Sequence, residues 1–167
     1  TLAKALGGGL PSGAIGGTDE AFELVEAGKV VQVGTYNGNP LSMAAARANL
    51  LEVLTPEAYT HLDALNDRLM QGCQAVIERF NFPGYAVGVG SKGCVTFSTE
   101  KITDYESFKA NQDVELCELA WLYNMNRGIF MTPGREEEWT LSITHSLEHC
   151  DRFVAAFEEL VDDLPAQ

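Results

Sequence analysis

Apolar residues recur with strand-like and helical periods through the first third of the chain. Two short β-branched or small-residue segments, 13–17 and 30–34, predict strands, and the first of them is expected to be buried. Between them, residues 19–27 predict a short amphipathic helix. Thr18 is its expected N-cap and Gly28 its expected end.

A strongly helical run then follows a predicted turn. Residues 35–40 are rich in asparagine and glycine, and a proline stands where the next helix would begin. Residues 41–54 are apolar on nearly every side, which predicts a buried helix. Thr55 and Pro56 predict the start of another helix, which runs to about residue 80 with leucine and valine on one face.

Beyond residue 84 the hydrophobic period changes to about two, and the chain then alternates between strand and helix patterns. The predicted elements are strands at 85–90 and 94–99, a helix at 105–127, strands at 129–132 and 139–144, and a helix at 146–164. This order predicts an α+β layer domain in which helices cover one face of a small sheet.

Composition and charge limit the possible partners. The 167 residues match the length of one ordinary domain, and 46% hydrophobic residues suffice for a core. The net charge of −13 argues against nucleic acid and anionic membranes as partners. Residues 1–50 are nearly neutral, which fits an anionic ligand near the start of the chain. A solubilising acidic surface is the alternative explanation of the charge.

Cysteine use and the absence of a signal peptide favour a reducing, cytoplasmic location. There is no Cys-x-x-Cys pair and no long apolar run. The chain has no initiator methionine and opens inside a glycine motif, so we expect it to be part of a longer polypeptide. The four cysteines are widely separated, at Cys73, Cys94, Cys117 and Cys150.

Lys4 is the first candidate catalytic residue. Six of the thirteen residues 5–17 are glycine, and Pro11 interrupts them. Such a segment suits a backbone that turns sharply and approaches another group closely. A lysine held beside it can be kept desolvated, and a desolvated amine becomes a nucleophile toward carbonyls. The alternative is an ordinary solvent-exposed lysine.

The turn at 34–40 is the second candidate. The hydroxyl of Thr35 and exposed backbone N–H groups before a helix form a possible anion site. Together with a nucleophilic lysine, these are the parts needed to hold a phosphorylated aldehyde cofactor as a Schiff base. Taken separately, the segment could be only a turn.

Two further motifs are rejected on sequence grounds. Residues 88–93 satisfy the G-x-G-x-x-G pattern, but the strand-like residues after them do not supply the helix that a dinucleotide site requires. His145 and His149 have the spacing of a metal pair on a helix. However, Ser146 is the expected N-cap and places His145 before the helix, and no third ligand is nearby, so no metal site is predicted.

The stretches around Lys4 and Thr35, taken together, carry a family resemblance. They read TLAKALGGGLPSGA (residues 1–14) and GTYNGNPLSMAA (residues 34–45). In this order and at this spacing they resemble the class-III aminotransferases, and within them the glutamate-1-semialdehyde aminomutase branch. Weaker similarity continues through 55–58 and 128–133 to the last helix.

The resemblance implies an α/β fold of the pyridoxal-phosphate-dependent transferase type, as in aspartate aminotransferase. Residues 1–55 would be the last part of the large cofactor domain, and residues 56–167 the small C-terminal α+β domain. Lys4 would form the Schiff base with pyridoxal 5′-phosphate and carry a proton between the substrate Cα and the cofactor. Gly34 and Thr35 would bind the cofactor phosphate across the interface of a homodimer.

The implied reaction is amino-group transfer on a small amino or keto substrate, either between two molecules or within one. Glu137 would lie near the substrate, and its alternative is a solvated charge before a strand. In this family the remaining cofactor-binding residues precede the lysine, so we expect residues 1–167 alone not to transaminate. A non-catalytic dimerisation or interaction module is the alternative to an enzyme.

Overall fold

The computed structural model of the chain describes residues 1–133 and 138–164. The chain divides into two compact units, Thr1–Ala58 and Tyr59–Gln167. Within the described residues, no helix combines the length and the apolarity that crossing a membrane would require.

The first unit consists mainly of short helices. Its elements are a 3₁₀ turn Lys4–Gly7, helix α1 Asp19–Glu26, helix α2 Pro40–Ala48 and a π turn Asn49–Val53. The predicted cap of α1 is confirmed, since the Thr18 hydroxyl accepts a hydrogen bond from the Ala21 N–H at 3.4 Å.

The two strands predicted in the first unit are wrong for this structure. Ala14 makes only an isolated antiparallel bridge to Leu2, and residues 13–17 are exposed. Residues 30–34 are irregular, and Val33 is 81% exposed. A strand needs a neighbour along its length to accept its backbone hydrogen bonds; among the described residues, 13–17 has one only at Ala14, and 30–34 has no paired strand.

The helix predicted at 41–54 is present, but its burial is not. It forms as α2 followed by the π turn, and Leu41 and Leu51 are 69% and 64% exposed. The apolar sequence marks residues suited to burial, and the described residues do not cover them.

The second unit holds a long helix, a small sheet and three further helices. The elements are α3 Pro56–Phe80 (which begins in the first unit), β1 Tyr85–Val89, β2 Lys92–Thr96, α4 Tyr105–Asn111, α5 Val114–Asn126, β3 Trp139–Thr140 and α6 Leu147–Asp163. The strands are antiparallel in the order β1-β2-β3. Tyr85 pairs with Thr96, and Gly93 pairs with Trp139.

The core lies where the helices meet the sheet. One face of α3 supplies Leu65, Leu69 and Cys73, all at most 3% exposed. Phe82 packs edge-on against the rings of Phe97 and Phe157, with centroids 5.9 and 6.1 Å apart. This packing of helices on one small sheet agrees with the predicted α+β layer.

Three predicted elements of the second unit need correction. The helix expected at 105–127 is split because Asp113 caps a new helix, accepting a hydrogen bond from the Leu116 N–H at 3.0 Å. Residues 129–132 form no strand, and the Met131 carbonyl instead accepts a hydrogen bond from the Trp121 indole at 3.0 Å. The strand expected at 139–144 is limited to Trp139–Thr140.

Candidate active site

Lys4 occupies an unusual backbone conformation. Its φ of 57° lies in the left-handed region, which few residues other than glycine adopt. Such strained residues are concentrated at functional sites, where the surrounding structure holds them. The residue is exposed, so the desolvation expected from the glycine-rich sequence is not present within the described chain.

The turn that carries Lys4 belongs to a loop closed by backbone hydrogen bonds. Leu2 and Ala14 exchange two N–H to carbonyl bonds, at 2.7 and 2.8 Å. Inside the loop, the Gly8 N–H donates to the Ala5 carbonyl at 3.0 Å. The loop therefore has a defined conformation, and Lys4 lies within it.

One contact to this turn was not predicted from the sequence. The side-chain amide of Asn49, in the π turn, donates to the carbonyls of Ala5 and Leu6 at 2.9 and 3.4 Å. A polar residue inside a helical run gives no signal of a partner 44 positions away. Only the folded structure brings Asn49 to the residues that follow Lys4.

Gly34 and Thr35 lie in the predicted turn before α2. The Gly34 carbonyl accepts a hydrogen bond from the Asn37 N–H at 3.0 Å. Thr35 is exposed, and its hydroxyl has no hydrogen-bond partner among the described residues.

The start of α2 is already capped. The side-chain oxygen of Asn39 accepts hydrogen bonds from the N–H groups of Leu41 and Ser42, at 3.0 and 3.3 Å. These are helix-terminal donors that an anion would otherwise use. An anion at this turn would therefore rely on Thr35 and the loop backbone more than on the helix end. The anion site expected from the sequence thus has fewer donors than a free helix N-terminus would give it.

Lys4 and Thr35 belong to the same compact unit. No hydrogen bond or ion pair joins their side chains in the part of the chain that the structure describes. A primary amine and a hydroxyl are groups of the chemical types that could hold an aldehyde phosphate, so the residue types fit such a cofactor. Glu137 lies outside the described residues.

The motifs rejected from the sequence lie at a strand and at a helix start among the described residues. Gly93 lies inside β2, so a strand follows the G-x-G-x-x-G motif and a dinucleotide site is excluded there. Ser146 is the N-cap of α6, as predicted, and His149 Nδ1 accepts from its N–H at 3.1 Å. Across residues 1–133 and 138–164, no group of three or more potential ligands could hold a metal.

The second unit contains a cavity of about 560 Å³ that was not predicted. Aromatic and basic side chains share its lining, with Trp139 and Phe153 beside His145 and Arg152. It includes neither Lys4 nor Thr35, so it is separate from the candidate residues of the first unit.

Comparison with known proteins defines the class. The model of the family "Aminotransferase class-III" matches residues 1–118, and the chain belongs to this family. The match includes both Lys4 and Thr35. It confirms the resemblance drawn from the two motifs.

Particular relatives agree with this assignment. The glutamate-1-semialdehyde 2,1-aminomutase 2 of Geobacillus kaustophilus is 38% identical over 160 residues, which cover 95% of this chain and 37% of that protein. The protein of the same name from Brevibacillus brevis is 34% identical over 157 residues, covering 93% and 36%. The chain therefore spans little more than a third of the length of these relatives.

A solved structure is similar over nearly the whole chain. The omega-transaminase from Sphaerobacter thermophilus superposes with a TM-score of 0.80 at 26% identity, covering 96% of this chain and 37% of that one. This likeness confirms the expected fold, that of the pyridoxal-phosphate-dependent transferases.

Proposed function

We propose that the protein transfers amino groups with pyridoxal 5′-phosphate as its cofactor, and that Lys4 binds this cofactor covalently. The observation that carries the proposal is the position of Lys4, on a strained backbone within the segment matched by the family model. The relatives are named as an aminomutase and a transaminase, which supports amino-group chemistry.

Each candidate residue has one role in the proposal. When bound, pyridoxal phosphate supplies an electron sink for the substrate carbanion. The Nζ of Lys4 holds the cofactor as a Schiff base and moves a proton at the substrate Cα. Gly34 and Thr35 bind the phosphate of a cofactor held by the second subunit of a homodimer, and Glu137 contacts the substrate.

The substrate is a small amino or keto compound, and the enzyme works in the cytoplasm. Transfer between two molecules and transfer within one both remain in the proposal. An amino-donor screen with and without a separate keto acid separates them. A transferase requires the acceptor, whereas an aminomutase converts one compound without it.

The test of Lys4 uses the protein with any residues that precede or follow this chain in its gene. It is incubated with pyridoxal phosphate, reduced with borohydride and digested, and the pyridoxyl group is located by mass spectrometry. We expect the group on Lys4 and expect Lys4→Ala to lose it. Lys29→Ala, which removes another lysine of the same unit, is the matched control and should keep it.

Two results would overturn the proposal. One is a pyridoxyl group on a different lysine of the wild-type protein. The other is a wild-type protein that forms no adduct and no absorption band of the bound cofactor, as a non-catalytic interaction module would.

A further inference from the structure

Asn49 makes a direct connection between the π turn that follows helix α2 and the turn that carries Lys4. Its Nδ2 donates to the Ala5 carbonyl at 2.9 Å and, more weakly, to the Leu6 carbonyl at 3.4 Å. These are the two residues that follow Lys4. One side chain therefore fixes the carbonyls of the lysine turn.

The backbone of Asn49 is itself well held. Its N–H bonds to the carbonyls of Ala45 and Ala46, and its own carbonyl accepts from the Leu54 N–H at 2.9 Å. That last bond belongs to the π turn, a widened helical turn that is frequently found at functional sites. The amide is thus presented from a helix rather than from a loop.

The lysine turn packs closely on Asn49. Gly8 has a φ of +56°, and a Cβ added there would come within 3.3 Å of the Asn49 Cβ. Lys4 also has a positive φ, of 57°. For a residue with a Cβ, such as Lys4, this conformation persists only when neighbouring groups hold it, and Asn49 bonds to the carbonyls of the two residues that follow.

We propose that Asn49 is a positioning residue, which holds the Lys4 turn and thereby aims the lysine amine for attack on an aldehyde cofactor. The inference rests on the proposed function of Lys4. It adds a residue that does not touch the cofactor and acts through the backbone of Ala5 and Leu6.

The test compares three variants of the protein, with any residues that flank this chain. Asn49→Asp keeps the shape but turns an oxygen toward the two carbonyls, and Asn49→Ala removes the amide without adding charge. Arg47→Ala is the matched control: Arg47 is an exposed residue of α2, two positions before Asn49, and its only ion pair among the described residues is a 3.9 Å contact with Glu52.

Three quantities are measured for each variant. They are the rate at which the pyridoxyl-Lys4 peptide accumulates under borohydride trapping, the hydrogen exchange of residues 5–8, and the unfolding midpoint. We expect both Asn49 variants to attach the cofactor at least about tenfold more slowly, because small misplacements of a reacting group have large effects on rate. Exchange at 5–8 should rise, while the control matches wild type.

The outcomes separate this inference from the one on which it rests. A wild-type protein without the Lys4 adduct defeats the proposed function itself. A wild-type adduct with unchanged attachment rates in the Asn49 variants defeats only the positioning role, even when the unfolding midpoint falls. Should Asn49→Asp not fold, the rate measured for Asn49→Ala decides.

Discussion

The indole N–H of Trp139 donates a hydrogen bond to Asn66 Oδ1 at 2.8 Å, and both residues are buried. The bond joins strand β3 to the middle of helix α3, across 73 positions of sequence. A buried polar pair of this kind is stable because the donor and the acceptor satisfy each other's hydrogen-bonding capacity.

Asn66→Leu should therefore destabilise the fold. The substitution keeps the branched shape but leaves the Trp139 N–H unpaired, which costs about 1–3 kcal/mol. Urea unfolding followed by circular dichroism measures the loss. The double variant with Trp139→Phe removes both partners, and the two losses should add to more than the loss of the double variant. Simple additivity would contradict a direct bond.

Gly93 is required by the packing of Trp139. A Cβ at position 93 would lie 2.5 Å from Cζ2 of the indole and 2.8 Å from the Val87 carbonyl. We expect Gly93→Ala to destabilise the protein by about 1–3 kcal/mol through overpacking.

The control for this prediction is Gly90→Asn, in the turn of the same β1–β2 hairpin. Gly90 has a φ of +58° and open space around its Cα, and asparagine tolerates that conformation. The unfolding free energy of Gly90→Asn should stay much closer to that of wild type than the unfolding free energy of Gly93→Ala does. Equal losses at the two positions would show that the indole contact is not the cause.

Thr35 should contribute to cofactor affinity through its hydroxyl. A hydrogen bond to a charged phosphate is worth about 1.5–3 kcal/mol, so Thr35→Ala should weaken binding of pyridoxal phosphate by about 10- to 100-fold. Equilibrium titration of the apoprotein measures this change. Thr35→Ser keeps the hydroxyl and should retain most of the affinity. Equal affinity in all three proteins would remove Thr35 from the site.

Tyr123 gives the fold a specific sensitivity to alkaline pH. Partial burial, and a hydrogen bond from its hydroxyl to Asp163 at 2.6 Å, raise the pKa of Tyr123 to about 12. Because the folded state favours the protonated phenol, this contribution is complete below the unfolded pKa of about 10 and is lost as pH rises toward 12.

Tyr123→Phe should accordingly flatten the fall in stability between pH 10 and 12, as measured by unfolding at several pH values in that window. Tyr105→Phe is the control, since Tyr105 is 70% exposed. If both variants follow the wild-type curve, ionisation of Tyr123 is not coupled to unfolding.

Local sequence signals predicted the helices whose ends are set by nearby residues. Thr18 caps α1 and Ser146 caps α6 within three residues of the groups they bond, so the pattern contains the whole interaction. The hairpin of β1 and β2 was predictable for the same reason, because two alternating runs flank a glycine-rich turn.

The wrong sequence predictions, and the contacts that were not predicted, share a different cause. The strands expected at 13–17 and 30–34, and the burial of 41–54, depend on what lies against those segments, which an apolar pattern does not specify. Asn49 and Asn66 went unnoticed because each bonds to a partner more than forty positions away. Of the proposed site, the sequence motifs predicted Lys4 and Thr35, whose roles remain predictions, and the fold added the contact to Asn49.

The two reciprocal backbone hydrogen bonds between Leu2 and Ala14 close the intervening backbone into a loop of fixed length. Side chains on such a loop can change without altering its path, but an inserted or deleted residue would have to be absorbed inside it. Tolerance to indels should therefore be much lower between these two residues than in the irregular stretch at 28–34. Engineering of this loop should therefore begin with point substitutions.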